Sequence, residues 1–520
     1  MARDAPDQRA IGGSYPRYVL GVLVLVYVLN FLDRQIPAIL AERIQADLKV
    51  SDAQLGYLYG TAFAVFYALF GLPLGRLADV WDRRRLIAIG LALWSLMTVA
   101  SGFARSFAQL ALARVGVGIG EASATPAAYS LLSDYFPPRQ RATVLAVYSS
   151  GIYIGSGLGL FLGGVIVDGW ETAYPLGSAP LGLRGWQAAF VAVGLPGLLL
   201  AVWTSTLREP ARGQSDGLLS APEPRPWRAF LAELGSVLPP FSLLRLHSLG
   251  ARPGALAKNL AVATGLCALA WPLARLFGTP AQWWSLAVGA YAAVSWAQSL
   301  WLRDRPSATL FFGTPALRNA CLGFGFLSFS GYALGFWLPS FFVRLHGLPV
   351  AEVGLVYGGA AAAGGFLGVT LGGLAADRWR RRAAGGRLYV GLLNATLPIP
   401  LGLATLWSDD AAVAYAMSLP LSAAAALWLG PGASTVQDLV LPRMRSLASA
   451  AFLLVVTLIG LCLGPYSVGR LSVATGDLRV ALSLGLVGYL VGAIFLLRAA
   501  RTLAHDEATR VERARAAGEA

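Results

Sequence analysis

The chain has 520 residues, of which 56% are hydrophobic and only 13% charged, far more apolar material than a soluble fold of this length needs for its core. Its net charge of +14 would suggest a nucleic-acid partner in a soluble chain, but the 41 basic residues fall mostly in short loops between apolar runs, so they are read as topology signals and no nucleic acid is expected. Composition therefore leaves an integral, polytopic, all-α membrane protein.

In chain order, Arg3, Arg9 and Arg17 lead into an apolar run that is too long for a signal-peptide core and lacks a cleavage site, so it is expected to remain as the first span with the N-terminus inside. Runs long enough to cross roughly 30 Å of hydrocarbon lie near residues 18–40, 54–77, 86–104, 108–132, 143–167 and 186–206. A Pro- and Arg-rich stretch follows. Six more runs lie near 315–343, 352–376, 387–407, 411–437, 446–469 and 479–498. Between the halves, Asn259 to Phe277 and Trp283 to Leu302 flank the turn Gly278-Thr279-Pro280. They read as a membrane hairpin outside the twelve-span core, each arm near the short limit, with an interfacial placement as the alternative. The expected organisation is a six-helix bundle over 1–207, a cytoplasmic linker over 208–258, the hairpin over 259–302, a second six-helix bundle over 303–500 and a cytoplasmic tail over 501–520.

Loop charges test this count. Arg83 to Arg85, Arg139, Arg141, the linker, Arg378 to Arg387, Arg443 and Arg445 fall on one side. Glu42, Asp47, Asp52, Asp168, Glu171, Asp409 and Asp410 fall on the other, as alternating spans require. The basic side is expected to be cytoplasmic, both termini included, and the setting a bacterial inner membrane. Cys267, Cys321 and Cys462 are scattered through apolar segments and give neither a disulfide framework nor a metal spacing, so no metal or other cofactor is expected. In the fifth span Gly151, Gly155, Gly159 and Gly163 form one face that admits another helix closely. The sequon at Asn394 lies inside an apolar run, beyond the reach of glycosylation.

The halves carry a duplication. Gly75-Arg-Leu-Ala-Asp79 runs through Trp81 to the cluster Arg83-Arg84-Arg85, and 298 positions later Gly373-Leu-Ala-Ala-Asp377 runs through Trp379 to Arg381-Arg382. Gly56, Tyr59 and Gly60 likewise match Gly354, Tyr357 and Gly358. Two halves in the same orientation, each with a charged hinge, are the layout of a transporter that rocks about a central site. Asp79 is expected to pair with Arg83 or Arg84, or to face a helix N-terminus in the other half, and so lock the cytoplasmic side in one state.

Charges inside a span are costly unless paired or hydrated, so they are functional candidates. Asp33 lies roughly 10 Å inside the outer boundary at ~1.5 Å per residue. Arg114 lies at a similar depth, and Glu121 some 10 Å deeper on the same helical face, near the midplane. Asp33 and Arg114 are expected to pair while Glu121 exchanges protons, because a movement that changes the arginine contact changes a carboxylate's proton affinity. A permanent ion pair fixing spans 1 and 4 is the alternative. Arg34, about 100° around the helix from Asp33, either holds a phosphate head group or reaches the outer interface. Asn30, Tyr57, Tyr129, Tyr148, Tyr153, Phe329, Tyr332 and Trp337 are candidate cavity residues, against the plainer reading that membrane aromatics pack on neighbours.

The hinge resembles the signature of the major facilitator superfamily, which places Gly, three residues, Asp and paired basic residues between spans 2 and 3; Val80 and Asp82 depart from it. Tyr27-Val-Leu-Asn30-Phe-Leu-Asp33-Arg34 and Arg114-Val-Gly-Val-Gly-Ile-Gly-Glu121-Ala-Ser resemble the spinster family. Span 5 matches the superfamily's antiporter motif only in part, with Ser156 where that motif has proline. The resemblance implies a transporter rather than an enzyme, a monomer of two bundles, and a substrate of lysolipid or sphingosine phosphate type; the buried charges add the expectation that its movement is linked to protons. A multidrug or organic-anion exporter of the same fold is the alternative; a receptor would leave the duplicated hinges idle. The three histidines, His247, His346 and His505, lie in loops or near the ends and form no catalytic set.

Overall fold

The computed structural model describes residues 13–175, 179–216, 224–441 and 444–519; Arg3, Arg9, Arg443 and part of the linker lie outside them. Spans 1 to 3 are Ser14–Leu48, Asp52–Val80 and Arg83–Ser101. Span 4 is two pieces, Phe107–Glu121 and Ala124–Tyr135, and spans 5 and 6 are Thr143–Ala173 and Gly185–Ser205. Spans 7 to 12 are Pro315–His346, Val350–Arg380, Gly386–Leu406, Ala411–Asp438, Leu447–Thr475 and Leu478–Ala508. Their starts follow from local chemistry. Ser51 and Gln54 form a capping box on span 2, Asp82 caps span 3 through the Arg85 amide, and Asp410 and Asp477 cap spans 10 and 12.

The duplication extends further than its hinge motif. Arg83 is wholly buried and pairs with Asp134, 51 residues on, and with Ser130. Arg387 pairs with Asp438, also 51 residues on, and reaches the Ser434 carbonyl. A glutamate closes each network from the end of the bundle: Glu209 on Arg83 at 2.7 Å, and Glu507 on Arg380. The tail helix Arg510–Ala516 docks on the start of span 7, where Arg513 bonds Thr314 at 2.7 Å.

Among the described residues, the side-chain hydrogen bonds and ion pairs that join the two bundles lie from the middle toward the acidic-loop end. Thr61 donates to the Cys462 carbonyl at 2.8 Å. Asp168 accepts from the Ala351 amide at 2.9 Å, capping span 8 from the other bundle. Arg344, at the end of span 7, donates to Glu42 at 2.7 Å, to both oxygens of Asp52 at 2.8 Å and to Gln45 at 3.0 Å. At the basic-loop end the arginine networks of the described residues stay within their own bundles, so the described polar ties between the bundles gather toward the acidic end.

The hairpin differs from expectation in length. Its arms are Pro253–Phe277 and Pro280–Arg303, the first starting six residues before Asn259. The first arm is mostly exposed, as a lipid-facing helix would be. The second arm is not free-standing in lipid: it packs on the flank of the twelve-span core, against span 2 of one bundle and span 11 of the other. Gly289 meets Val65 and Leu458, and Gln282 donates to the Cys462 carbonyl at 3.3 Å. The reason is its polar face, Gln282, Ser285, Ser295 and Ser299, which is better satisfied by protein than by lipid. The linker is helical too, Pro226–Val237 turning by 109° into Phe241–Ser248.

Candidate functional site

Four charged side chains inside the first bundle are buried together, but their pairing is not the expected one. Arg34, not Arg114, holds Glu121: its Nε donates to the carboxylate at 2.5 Å. The guanidinium carbon lies 4.8 Å from the rings of Phe31 and Phe63 and 4.6 Å from that of Tyr67, whose hydroxyl also bonds it. Desolvated cation–π contacts of this kind contribute about 2 kcal/mol or more. Arg34 therefore keeps favourable partners even when Glu121 is neutral.

Arg114 is placed by a proline. Pro37 has no amide hydrogen, so the Asp33 carbonyl four residues earlier lacks its helical donor. Arg114 Nη1 donates to that carbonyl at 3.3 Å, and its Nε has no partner. The Asp33 carboxylate turns instead to span 3, accepting from Thr98 at 3.2 Å through Oδ2 while Oδ1 is left unpaired. The same device recurs in span 7. Pro339 frees the Gly335 carbonyl, and Gln35 of span 1 donates to it at 3.1 Å across the bundle boundary. Tyr59 in turn donates to Gln35 at 3.1 Å and stacks on Phe336 at 4.4 Å.

Glu121 ends the first piece of span 4. Gly116, Gly118 and Gly120 weaken the helix, and Pro126 cannot donate to the Ala122 carbonyl, so the break falls at Ala122–Ser123. Broken membrane helices of this kind occur where protein or a cavity surrounds them. Glu121 Oε1 has no partner, and Asn30 directs its amide at the same carboxyl. A C-terminal helix end repels an anion, which makes the cation at Arg34 the necessary counterpart.

The remaining candidates divide. Tyr148 stacks on Tyr27 at 4.3 Å and meets Tyr129 edge-on at 5.6 Å, while the Tyr129 hydroxyl reaches Ser149 at 3.2 Å. Tyr332 lies within electrostatic reach of Arg34 and Tyr153, and Tyr153 packs on Gly365 of span 8. Three turn to other elements. Tyr57 points to Ser285 of the hairpin at 3.4 Å, Trp337 is fully buried with its indole donating to the Pro465 carbonyl at 2.8 Å, and Phe329 packs against Gly488 of span 12.

At the hinges, Asp79 is exposed and, among the described residues, makes no ion pair; Arg76, Arg83 and Arg212 are the charges around it. Its expected partners are taken. Arg83 belongs to Asp134 and Glu209, and Arg84 to Asp82 at 3.2 Å and the Leu207 carbonyl at 2.5 Å. In the second copy Asp377 lies 3.9 Å from Arg387, and Arg381 is exposed just past span 8. A Cβ at Gly75 would touch Pro126 at 3.9 Å, an ordinary contact, and Gly373 has open space beside it. Gln35, Tyr67 and Arg344 were not anticipated: Pro339, the four-residue step from Phe63, and a lone arginine at an otherwise acidic end were the available signals.

Two six-helix bundles closed at one end around buried, mutually compensating charges define a membrane transporter. The chain belongs to the major facilitator superfamily, whose family profile matches residues 23–465. It is 30% identical over 469 residues, 90% of its length and 86% of the relative's, to an MFS-type efflux pump of Mycolicibacterium smegmatis. It is 32% identical over 243 residues to human protein spinster homolog 1, covering 44% of this chain and 43% of that protein. A bacterial homolog of the human lysosomal transporter spinster, in an inward-facing and occupied conformation, superposes with a TM-score of 0.70 at 27% identity over 95% of this chain and 99% of that one.

Proposed function

We propose that this chain is a proton-linked secondary transporter of an anionic amphiphile, of lysophospholipid or sphingosine phosphate type, working by alternating access. The observation that carries the reading is the Arg34–Glu121 pair, buried but with one carboxylate oxygen unpaired, beneath the break in span 4. Protonation of Glu121 would release Arg34 from its ion pair while Phe31, Phe63 and Tyr67 keep it in place. The released cation is then a seat for a phosphate or carboxylate head group. The second bundle offers Tyr332 and apolar surface opposite, with Asp377 and Asp438 confined to the basic end, which suits a chain attached to that head. Asp33 and Arg114 assist by fixing the geometry of span 1. With the basic-loop side cytoplasmic, bundles tied together at the acidic end fit an inward-facing state, the state of the spinster homolog on which the chain superposes.

Relatedness to spinster proteins supports the lipid class. The efflux reading, a multidrug or small organic anion exporter of the same fold, is supported by the mycolicibacterial relative. Uptake of a fluorescent lysophospholipid and of a hydrophilic organic anion into proteoliposomes, with and without an imposed pH gradient, separates them. Glu121→Gln imitates the protonated form and should transport with no response to the gradient. A normal response in that variant sinks the assignment of Glu121.

A further inference from the structure

We propose that the second hairpin arm is a fixed side wall: it closes the seam between spans 2 and 11, so that an amphiphile passes between lipid and the central site only through the opposite seam, between spans 5 and 8. The route rests on the amphiphile reading; the closure does not.

The arm is built for this position. It packs on both bundles, with Ser285 at Tyr57 of span 2, Thr279 donating to or accepting from Tyr466 of span 11 at 2.5 Å, and Trp283 edge-on to the same tyrosine at 5.8 Å. Gly289 packs tightly between the two bundles, where an added Cβ would sit 3.1 Å from Leu458 and 3.3 Å from Val65. Its outer side is covered by the first arm, to which Asn259 fastens it by bonds to Ser295 at 2.8 Å and Gln298 at 2.6 Å. Tyr291 adds a bond to Asn259 at 2.7 Å and reaches Ser242 of the linker at 3.0 Å. At its basic end Arg303 forms a two-pronged pair with Glu233, and the linker helix carrying Glu233 lays Trp227 on Trp81 of span 2 at 5.0 Å. The arm is thus tied to span 11 at one end and to span 2 at the other, a diagonal across the seam.

The opposite seam has no such cover among the described residues. Spans 5 and 8 touch directly at Gly164 with Val350, at Gly157 with Ala362 and at Tyr153 with Gly365, all on the acidic side of span 5's kink at Ser150. On the basic side of that contact the glycines of span 8 turn to span 10 instead, Gly368 to Ala423 and Gly372 to Leu427, which places the proposed route between the basic halves of spans 5 and 8.

Closure is tested first, in a chain whose three cysteines are replaced by alanine. Val65→Cys and Leu458→Cys should react with a bilayer-soluble maleimide ~10-fold or more slowly than Leu199→Cys, a position 76% exposed on span 6. Replacing residues 253–303 by a flexible linker, or wedging the arm with Gly289→Leu if that chain fails to fold, should raise both rates toward the control. Equal rates in the intact chain would overturn the wall. The route is tested with a photoreactive lysophospholipid, expected to label residues 138–152 and 366–380; label on spans 2 and 11 would overturn it. Absence of both label and uptake would refute the amphiphile reading, and the cysteine rates would still decide the closure.

Discussion

Arg344→Ala should shift the protein away from the state in which the acidic end is closed. Arg344 makes four hydrogen bonds to Glu42, Asp52 and Gln45 across the bundle boundary, at 2.7 to 3.0 Å. A hydrogen bond to a charged group contributes about 1.5–3 kcal/mol when buried. The Arg344 side chain is 23% exposed and water can replace it around Glu42, so the set is discounted to about 2–3 kcal/mol in total. At ~1.4 kcal/mol per tenfold, that is a shift of roughly 30- to 140-fold in the ratio of closed to open. The whole effect falls on this state, because spans 1, 2 and 7 meet only when the acidic end is shut. Spin labels on Leu181→Cys and Asp409→Cys, exposed at the acidic ends of opposite bundles, report the opening by pulsed electron resonance. The expected result is a new long-distance population, reduced in Arg344→Lys, whose single ammonium keeps part of the pairing. An unchanged distance distribution, even with lowered thermal stability, refutes a gating role.

Three other outcomes follow from the charge networks. Asp134→Ala leaves Arg83 fully buried with Glu209 as its remaining carboxylate, at a cost of about 3 kcal/mol, whereas Asp438→Ala, at a pair whose side chains are 19% and 29% exposed, should cost less, about 1 kcal/mol; thermal-shift assays in detergent compare them, and equal losses contradict the burial argument. Arg34→Lys keeps the charge but loses the planar stack on Phe31, Phe63 and Tyr67, so the apparent affinity for an anionic amphiphile should fall roughly tenfold with folding intact; an unchanged KM rules out Arg34 as the head-group seat. Asp79→Asn should change the rate of interconversion but not substrate affinity in a conformation-locked protein, since Asp79 is exposed and unpaired here and remote from the centre; a large loss of binding there argues against a hinge role.

The spans were legible because each apolar run is long and its flanking charges alternate in sign. The buried charges were legible for a related reason: Asp33, Arg34, Arg114 and Glu121 are conspicuous in helices that otherwise avoid charge. Their partners were not. Helical angles showed that Asp33 and Arg34 face different neighbours, but choosing between Arg34 and Arg114 as the mate of Glu121 needed the consequence of Pro37, which engages Arg114 with a backbone carbonyl. The second arginine network escaped because the hinge loop of the second half is six residues longer, which moves the repeat from 298 to 304 positions and disguises Arg387 and Asp438 as unrelated to Arg83 and Asp134. Tyr57 and Trp337 lie on inward-facing sides of their helices, yet the sequence does not say whether inward means a cavity, a hairpin or a neighbouring carbonyl.

The two prolines also suggest how the closed seam and the charged site are linked on the proposed cycle. Pro37 and Pro339 each free a carbonyl, and the two carbonyls are claimed by different sides: Arg114 holds Asp33 within the first bundle, and Gln35 holds Gly335 in the second. Gln35 is the residue after Arg34, on the same turn of span 1. Separation of span 7 from span 1 at the acidic end must break the Gln35 bond and release Tyr59 from Phe336, which frees the turn that aims Arg34 at Glu121. Conversely, once Glu121 is protonated and Arg34 is no longer held by it, span 1 keeps Arg114 at its Asp33 carbonyl as the remaining charged tie to span 4. The turn carrying Arg34 and Gln35 is bonded on one side to the other bundle and on the other to the ion pair, so on the proposed cycle a change in one set of bonds acts on the other. On the proposed cycle, opening at the acidic end and protonation of Glu121 would both act on one short stretch, residues 33 to 37.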